Sequence, residues 1–333
     1  MSVRVGVIGV GRIGAFHARV LAAHEGITEL RVMDVDGARA EDVARVCDAH
    51  VAPSADALLD TVDAVVIATP TSEHADLIHR AIDAGRPAFC EKPIAIDLAS
   101  TVAVVDHAHQ RGALVQMGFQ RRFDAGYRRA RAMVADGSAG RIYLVRMAGH
   151  DPQPPHESYI PASGGIFCDL HIHDFDIARF VTGQEVTEVY ADGAVLGFEY
   201  YERYGDVDTA VAVLRFSGGT LGILSGTRHD PLGYDIRMEV FGSADSFVVG
   251  MDGRTPLHSV EDDAPPAPAH PYTNFLDRFA HAYHAELHAF VNLVSGKCVN
   301  PCPPEDALEA MRVAVACNRS RQEHRPVRMD QVQ

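Results

Sequence analysis

No window of the chain approaches the ~20 consecutive apolar residues that a membrane-spanning helix needs. The opening Met1-Ser2-Val3-Arg4-Val5-Gly6-Val7-Ile8 lacks the charged start and long apolar run of a signal peptide, so a soluble, cytoplasmic protein is expected. Positive charge is also short: 30 Lys and Arg face 45 Asp and Glu, for a formal net charge of -15. That balance argues against nucleic acid or an anionic membrane as a partner, because neither finds a basic patch to dock on. The six cysteines (Cys47, Cys90, Cys168, Cys298, Cys302 and Cys317) show no paired zinc-type spacing. Cys298 and Cys302 stand four apart with no second pair nearby, and reduced, buried thiols are expected throughout. Internal repeats and low-complexity tails are missing too. What remains is an acidic chain suited to a small-molecule ligand. Its 333 residues, 47% of them hydrophobic, exceed one compact core, so two domains are expected.

The short β-branched run Val3–Ile8 ends directly in Gly9-Val10-Gly11-Arg12-Ile13-Gly14, and a helix-like stretch continues from Ala15 to Ala22. Strand, glycine turn and helix stand in the order of a dinucleotide-binding unit. Gly9 permits the tight turn, Gly11 lets the backbone approach a pyrophosphate, and Gly14 allows close helix–strand packing. The phosphates would sit at the positive helix N-terminus. An ordinary strand-to-helix turn would carry similar glycines, but a second strand, Glu29–Met33, ends at Asp34, twenty residues past Gly14. An acid there accepts hydrogen bonds from the adenosine ribose and repels a 2′-phosphate, which points to NAD rather than NADP.

Alternation continues with a buried strand at Ala64–Ala68, a helix from Ser72 to Ala84, a strand at Ala88–Cys90, a helix near Asp97–Arg111 and a strand at Ala113–Gln116. Apolar strands alternating with helices describe a parallel sheet covered on both faces, with ligands off the strands' carboxyl ends. Two of those ends carry Thr69-Pro70 followed by His74, and Glu91-Lys92-Pro93. Lys92, held between a strand end and a proline, could aim its ammonium at a substrate oxygen or be an ordinary loop lysine. His74 is read as lining the cofactor loop, without a catalytic role.

Further along, Gly164-Gly165 leads into Ile166-Phe167-Cys168-Asp169-Leu170-His171-Ile172-His173-Asp174-Phe175-Asp176, where three carboxylates and two imidazoles crowd into eight residues. On one helix, Asp169 and His173 would share a face, with Asp176 nearly on the same stripe. That pattern suits a metal, acid/base chemistry or a structural ion pair alike.

After a helix near Asp124–Asp136, strands are expected at Arg141–Met147, Glu188–Val195, Thr209–Phe216, Thr220–Thr227, Ile236–Phe241 and Phe247–Gly250. Phe216-Ser217-Gly218-Gly219-Thr220 is a hairpin signal. Together they predict a second, α+β domain with a largely antiparallel open sheet, one face of which is free for another subunit. Residues 1–121 are thus expected to form the NAD-binding domain, and 122–333 the substrate-binding and oligomerisation domain. The proline-rich 264–271 is expected as a surface loop. His281, His284 and His288 line one face of the next helix, which reads as a partly exposed imidazole stripe rather than a metal site, and the last helix runs over Ala307–Arg321.

Taken in order, the Gly9–Gly14 turn, Thr69-Pro70 with His74, Glu91-Lys92-Pro93, and Gly164-Gly165 with Asp169 and His173 resemble the Gfo/Idh/MocA oxidoreductase family over nearly the whole chain. Gly118–Asp124 and Ile172–Asp176 look most like its bacterial inositol 2-dehydrogenases. The resemblance implies NAD-dependent oxidation of a polyol ring hydroxyl by Lys92, Asp169 and His173. It also implies hydroxyl contacts from Arg122, His150 and Tyr234, with Gly9, Gly11, Arg12, Ile13, Gly14, Asp34, Thr69, Pro70, His74, Glu91 and Lys92 around the cofactor, and no metal. In this reading His173 is the general base, Asp169 orients it and Lys92 stabilises charge on the oxygen. The chain departs from the likeness at Asp151-Pro152-Gln153-Pro154-Pro155, where a proline stands near an expected polar contact, so the polyol stays open. Myo-inositol oxidised to 2-keto-myo-inositol is the expected reaction. Scyllo-inositol, an aldose or an amino-cyclitol is the alternative substrate, a cofactor-binding regulator the non-enzyme alternative, and a metal-dependent hydrolase the third. A homo-oligomer, dimer or tetramer, is expected.

Overall fold

The computed structural model describes residues 3–332. The chain forms two compact units, one of residues up to Gln120 with His281–Leu308, the other of Arg121–Ala280 with the residues from Glu309 onward.

In the first unit, six strands succeed one another: β1 (Val3–Ile8), β2 (Ile27–Met33), β3 (His50–Val51), β4 (Ala64–Ile67), β5 (Ala88–Glu91) and β6 (Val115–Gly118). Helices α1 (Arg12–Ala22), α2 (Gly37–Cys47), α3 (Ala55–Leu59), α4 (His74–Asp83) and α5 (Leu98–Arg111) intervene. All pairings are parallel, in the order β3-β2-β1-β4-β5-β6. That order reverses between β1 and β4, so the carboxyl ends of these two strands form the crevice where dinucleotides bind in such folds. Strand β4 is buried at every position, which is why it reads as an unbroken apolar run. The helix starts are legible as caps: Asp36, Ser54 and Asp97 each accept a backbone N–H of the first turn.

The second unit contains α6 (Ala125–Ala135), β7 (Ile142–His150), α7 (Ile160–Ser163), α8 (Ile166–Asp169), α9 (Ile172–Thr182), β8 (Val186–Ala194), β9 (Thr209–Phe216), β10 (Leu221–Thr227), β11 (Asp235–Gly242), β12 (Ser246–Val249) and β13 (Val327–Arg328). The seven strands order as β12-β11-β7-β10-β9-β8-β13. The hairpin expected around Gly218-Gly219 joins β9 to β10, with Gly219 at φ +86°. The sheet is mixed: β7 and β10 run parallel, and every other pair is antiparallel. The long excursion between β7 and β10 permits that parallel register.

Helices α10 (Phe275–Val294) and α11 (Pro304–Glu323) run from one unit into the other, and α10 is kinked at Phe279 (φ −116°). A single cut between residues 121 and 122 therefore differs from what is observed, because the chain re-enters the first unit at His281 and leaves it after Leu308. The reason is burial: Leu287, Phe290 and Val291 join Val3, Val5, Val7, Val66 and Phe89 in one core.

Candidate active site

In the first unit the glycine turn works as its spacing requires. Gly9 takes φ +84°, and its N–H donates to the Met33 carbonyl at 2.8 Å. A Cβ on Gly14 would stand 1.9 Å from the Gly9 carbonyl oxygen, so only glycine lets α1 approach this closely. A Cβ on Gly11 would meet nothing within 4 Å, which leaves the N-terminal turn of α1 open to an anion. At the end of β4, Thr69 Oγ1 is buried with no hydrogen-bond partner among the described residues, as a group awaiting a ligand would be.

The Asp34 carboxylate accepts N–H from Val10 at 2.8 Å and from Asp36 at 2.9 Å, which ties the end of β2 to the glycine turn. Arg39 Nη1 approaches it at 3.2 Å. This arginine escaped the sequence reading, because α2 brings it back one helical turn after the chain has passed Asp34. His74 is buried, with Nδ1 2.7 Å from the Pro93 carbonyl and Nε2 2.9 Å from the Thr69 carbonyl. It clips the loop after β4 to the Glu91-Lys92-Pro93 turn after β5. Burial pushes its imidazole down, so the neutral ring has one N–H to give to two carbonyls.

Beneath that turn His17 Nε2 lies 2.7 Å from Glu91 Oε1, and Glu286 of α10 completes a group whose donor atoms lie within 4.8 Å of one another. Burial, then the like charge of Glu91, pushes the Glu286 carboxyl well above the usual carboxylate range. Two ligands of one tetrahedral zinc ion stand about 3.3 Å apart, given metal–ligand bonds near 2.0–2.1 Å. The 2.7 Å His17–Glu91 separation is instead that of a hydrogen bond, and the group reads as a hydrogen-bonded brace at the start of the Glu91-Lys92-Pro93 turn. The stripe of His281, His284 and His288 is exposed.

In the second unit the consecutive glycines Gly164 (φ +76°) and Gly165 (φ +86°) make the turn from α7 into α8. Asp169 and His173 do not share one continuous helix. Helix α8 ends at Asp169 and α9 starts at Ile172, because the His171 N–H reaches back to the Ile166 carbonyl at 3.1 Å instead of continuing the i→i−4 ladder. Burial then sorts the crowded segment. His171, Asp174 and Asp176 are at most 1% exposed, whereas Asp169 and His173 are partly exposed.

The buried members are matched with arginines. Asp174 binds the Arg121 guanidinium and lies 2.9 Å from His171 Nδ1. The His171 ring rests in a slot between β7 and β10 left by the register partners Gly149 and Gly226, where a Cβ on Gly226 would stand 2.1 Å from its Cε1. Burial raises the Asp174 carboxyl, but Arg121 and His171 outweigh it and bring it below the usual range. Asp176, undecided from the sequence, accepts from Arg122 through Nε at 2.8 Å and Nη2 at 2.6 Å. Arg122, read as a substrate contact, is thus largely engaged inside the protein. Tyr234 is buried; burial pushes its phenol up, with Arg121 drawing it the other way.

Asp169 is held by residues that the sequence did not disclose. Arg228, 3% exposed, places Nη1 2.9 Å from Asp169 Oδ2 and 3.3 Å from Asp151 Oδ2, and the Tyr159 hydroxyl donates to Asp169 Oδ1 at 3.0 Å. His150, at the end of β7, has Nδ1 2.9 Å from Thr227 Oγ1, whose single proton goes to the His229 carbonyl. His150 Nδ1 must then be the donor, and Nε2 carries the lone pair. Burial pushes this imidazole down. His150 therefore offers an acceptor, as a contact for a hydroxyl proton should.

Two family models match most of the chain: the NAD-binding Rossmann-fold oxidoreductase model matches residues 3–119, and the GFO/IDH/MocA C-terminal domain model matches 127–248. The chain belongs to the Gfo/Idh/MocA oxidoreductase family. It is 39% identical to the myo-inositol dehydrogenase Hyg17 of Streptomyces leeuwenhoekii, over 95% of this chain and 96% of that one. It is 36% identical to the myo-inositol 2-dehydrogenase of Thermotoga maritima, over 99% of both. A Lactobacillus casei scyllo-inositol dehydrogenase crystallised with NAD(H) and scyllo-inositol superposes with a TM-score of 0.89 at 27% identity, covering 99% of this chain and 100% of that one. The protein is thus an NAD-dependent family member.

Proposed function

We propose that this protein is an NAD-dependent cyclitol dehydrogenase whose substrate is myo-inositol and whose product is 2-keto-myo-inositol. One observation carries the site assignment: of the acids and imidazoles between Gly164 and Asp176, only Asp169 and His173 are not locked in the interior. NAD, when bound, supplies the hydride acceptor. The chain supplies the rest. His173 takes the hydroxyl proton on a ring nitrogen, for which an imidazole of ordinary pKa near 6.5 is suited. Asp169 orients that ring and stabilises it once protonated, and the Lys92 ammonium stabilises the negative charge developing on the substrate oxygen. His150 accepts a second hydroxyl proton through Nε2, while Arg122 and Tyr234 line the substrate side. Residues 1–121 carry the cofactor, and 122–333, apart from the segment that returns to the first unit, the substrate and the subunit contacts.

The outer face of the second sheet supports a homo-oligomer. Tyr190, Val213 and Ile223 lie side by side across β8, β9 and β10, each at least 40% exposed, and a second copy would cover them. No described helix is long and apolar enough to cross a membrane. A cytoplasmic location accords with NAD turnover and with cysteine thiols, five of the six buried. The deciding experiment is NADH formation from NAD across myo-inositol, scyllo-inositol, glucose and xylose. Preferential turnover of myo-inositol is expected. Turnover of glucose or xylose alone would move the substrate to an aldose, and a bound cofactor that none of the four reduces would leave a regulator.

A further inference from the structure

Arg228 takes no step in the proposed reaction, yet it is tied to Asp169 by an ion pair of 2.9 Å. It comes directly after β10, its N–H donates to the Asp208 carbonyl at 2.7 Å, and its guanidinium lies inside the second unit with 3% of its surface exposed. One nitrogen, Nη1, serves two carboxylates, Asp169 at 2.9 Å and Asp151 at 3.3 Å. The strands arrange this: His150 and Thr227 are register partners on β7 and β10, and the Asp151 N–H donates to the Thr227 carbonyl at 2.9 Å, so the two loop residues leave side by side. A buried guanidinium would cost several kcal/mol without a counter-charge. Here it has two candidates, of which only one is needed.

We propose that Arg228 is a positioning residue that holds Asp169 ionised and oriented toward its proton-transfer partner, with Asp151 as the competing carboxylate that tunes how much of the charge Asp169 receives. The inference rests on the proposed role of Asp169. The groups facing this pair are Asp151 after β7, Tyr159 through its hydroxyl, Tyr201 and Asp206 beside the guanidinium, and His171 before α9. Burial raises the Asp151 carboxyl and Arg228 lowers it, with the first effect larger. Asp151 and Asp169 therefore compete for one guanidinium.

Electrostatics sets the sign of each expected shift. Removing the Arg228 cation favours the protonated form of every nearby acid and of His173, whereas removing the Asp151 anion disfavours it. The acid limb of the kcat/KM profile should therefore move to higher pH in Arg228→Gln, by about one unit, which is a tenfold loss at a fixed acid pH. Arg228→Lys, which keeps the charge but not the planar fork, should restore most of that shift. Asp151→Asn should move the limb the other way, to lower pH. A folded Arg228→Gln enzyme with an unmoved limb overturns the proposal. If Arg228→Gln does not fold, Asp151→Asn decides: a downward limb supports it, and an unmoved or upward limb overturns it. Asp169→Asn, assayed alongside, separates the two levels of inference. If it retains parental turnover, the catalytic reading of Asp169 falls and this proposal with it. If it is impaired while the limbs stay still, only the role of Arg228 falls.

Discussion

The buried pair of Arg121 and Asp174 permits a quantitative test of which residues in the crowded segment are structural. Both side chains are 1% exposed, and Asp174 also binds His171. Asp174→Asn keeps the volume and the hydrogen bond to His171 but leaves the Arg121 cation without its counter-charge. Removing one partner of a buried pair typically costs about 3–5 kcal/mol, chiefly because the other charge stays buried and uncompensated. With a urea dependence of roughly 2–3 kcal/mol per molar, the unfolding midpoint should fall by roughly 1–2.5 M. Circular dichroism against urea reads this directly. The cause can be isolated: Arg121→Met combined with Asp174→Asn removes the orphaned cation, so the double variant should recover at least half of the loss. A midpoint unchanged in Asp174→Asn would refute the structural reading. A double variant as unstable as the summed singles would refute uncompensated charge as its cause. Under conditions where it is folded, Asp174→Asn should keep near-parental turnover.

The converse holds for His173. His173→Ala should lower turnover by ~10²–10⁴-fold with little change in NAD affinity or urea midpoint, and near-normal turnover would remove it from the mechanism. Asp34→Ala should weaken NAD and, because Arg39 Nη1 then loses the carboxylate 3.2 Å away, leave a cation for a 2′-phosphate. Affinities for NAD and NADP measured on this variant should converge, and an unchanged preference would sink the ribose–carboxylate argument. Burial depresses both His74 and His150, so each favours the folded state above the ordinary imidazole pKa near 6.5, and that contribution is lost as pH falls through the depressed values. Thermal stability should accordingly decline from pH 7 to pH 5, and less steeply in a His150→Gln variant.

Short-range geometry is the part of this structure that was legible in the sequence. Gly9 and Gly14 announce their turn because each answers a local steric demand, and β4 reads as buried because all four of its residues are. Gly218-Gly219 marks the β9–β10 hairpin for the same reason. Lys92 carried a further compositional signal, since it is one of two lysines among 30 basic residues; Lys297 is the other. The break between α8 and α9 was not legible, because Leu170 and His171 are acceptable helix residues and nothing in the sequence marks the His171 N–H reaching back to the Ile166 carbonyl. Nor was the return of α10: Leu287, Phe290 and Val291 say that the helix buries a face, not which sheet receives it.

The ion pairs occupy a middle ground, and they explain why Arg228 was invisible while Arg121 and Arg122 were half visible. Two adjacent arginines trailed some fifty residues later by Asp-x-Asp on a helix are a pattern, and buried charges must find partners. Arg228 has no such companion in sequence; it is one arginine after one strand. Its role appears only once the parallel register of β7 and β10 sets Thr227 beside His150, and so Arg228 beside Asp151. Parallel pairing needs a long crossover and leaves no hairpin signal between the strands it joins. The proposed catalytic carboxylate can thus be read from the chain, while the cation that sets its charge cannot, because the first is a motif and the second is a consequence of topology.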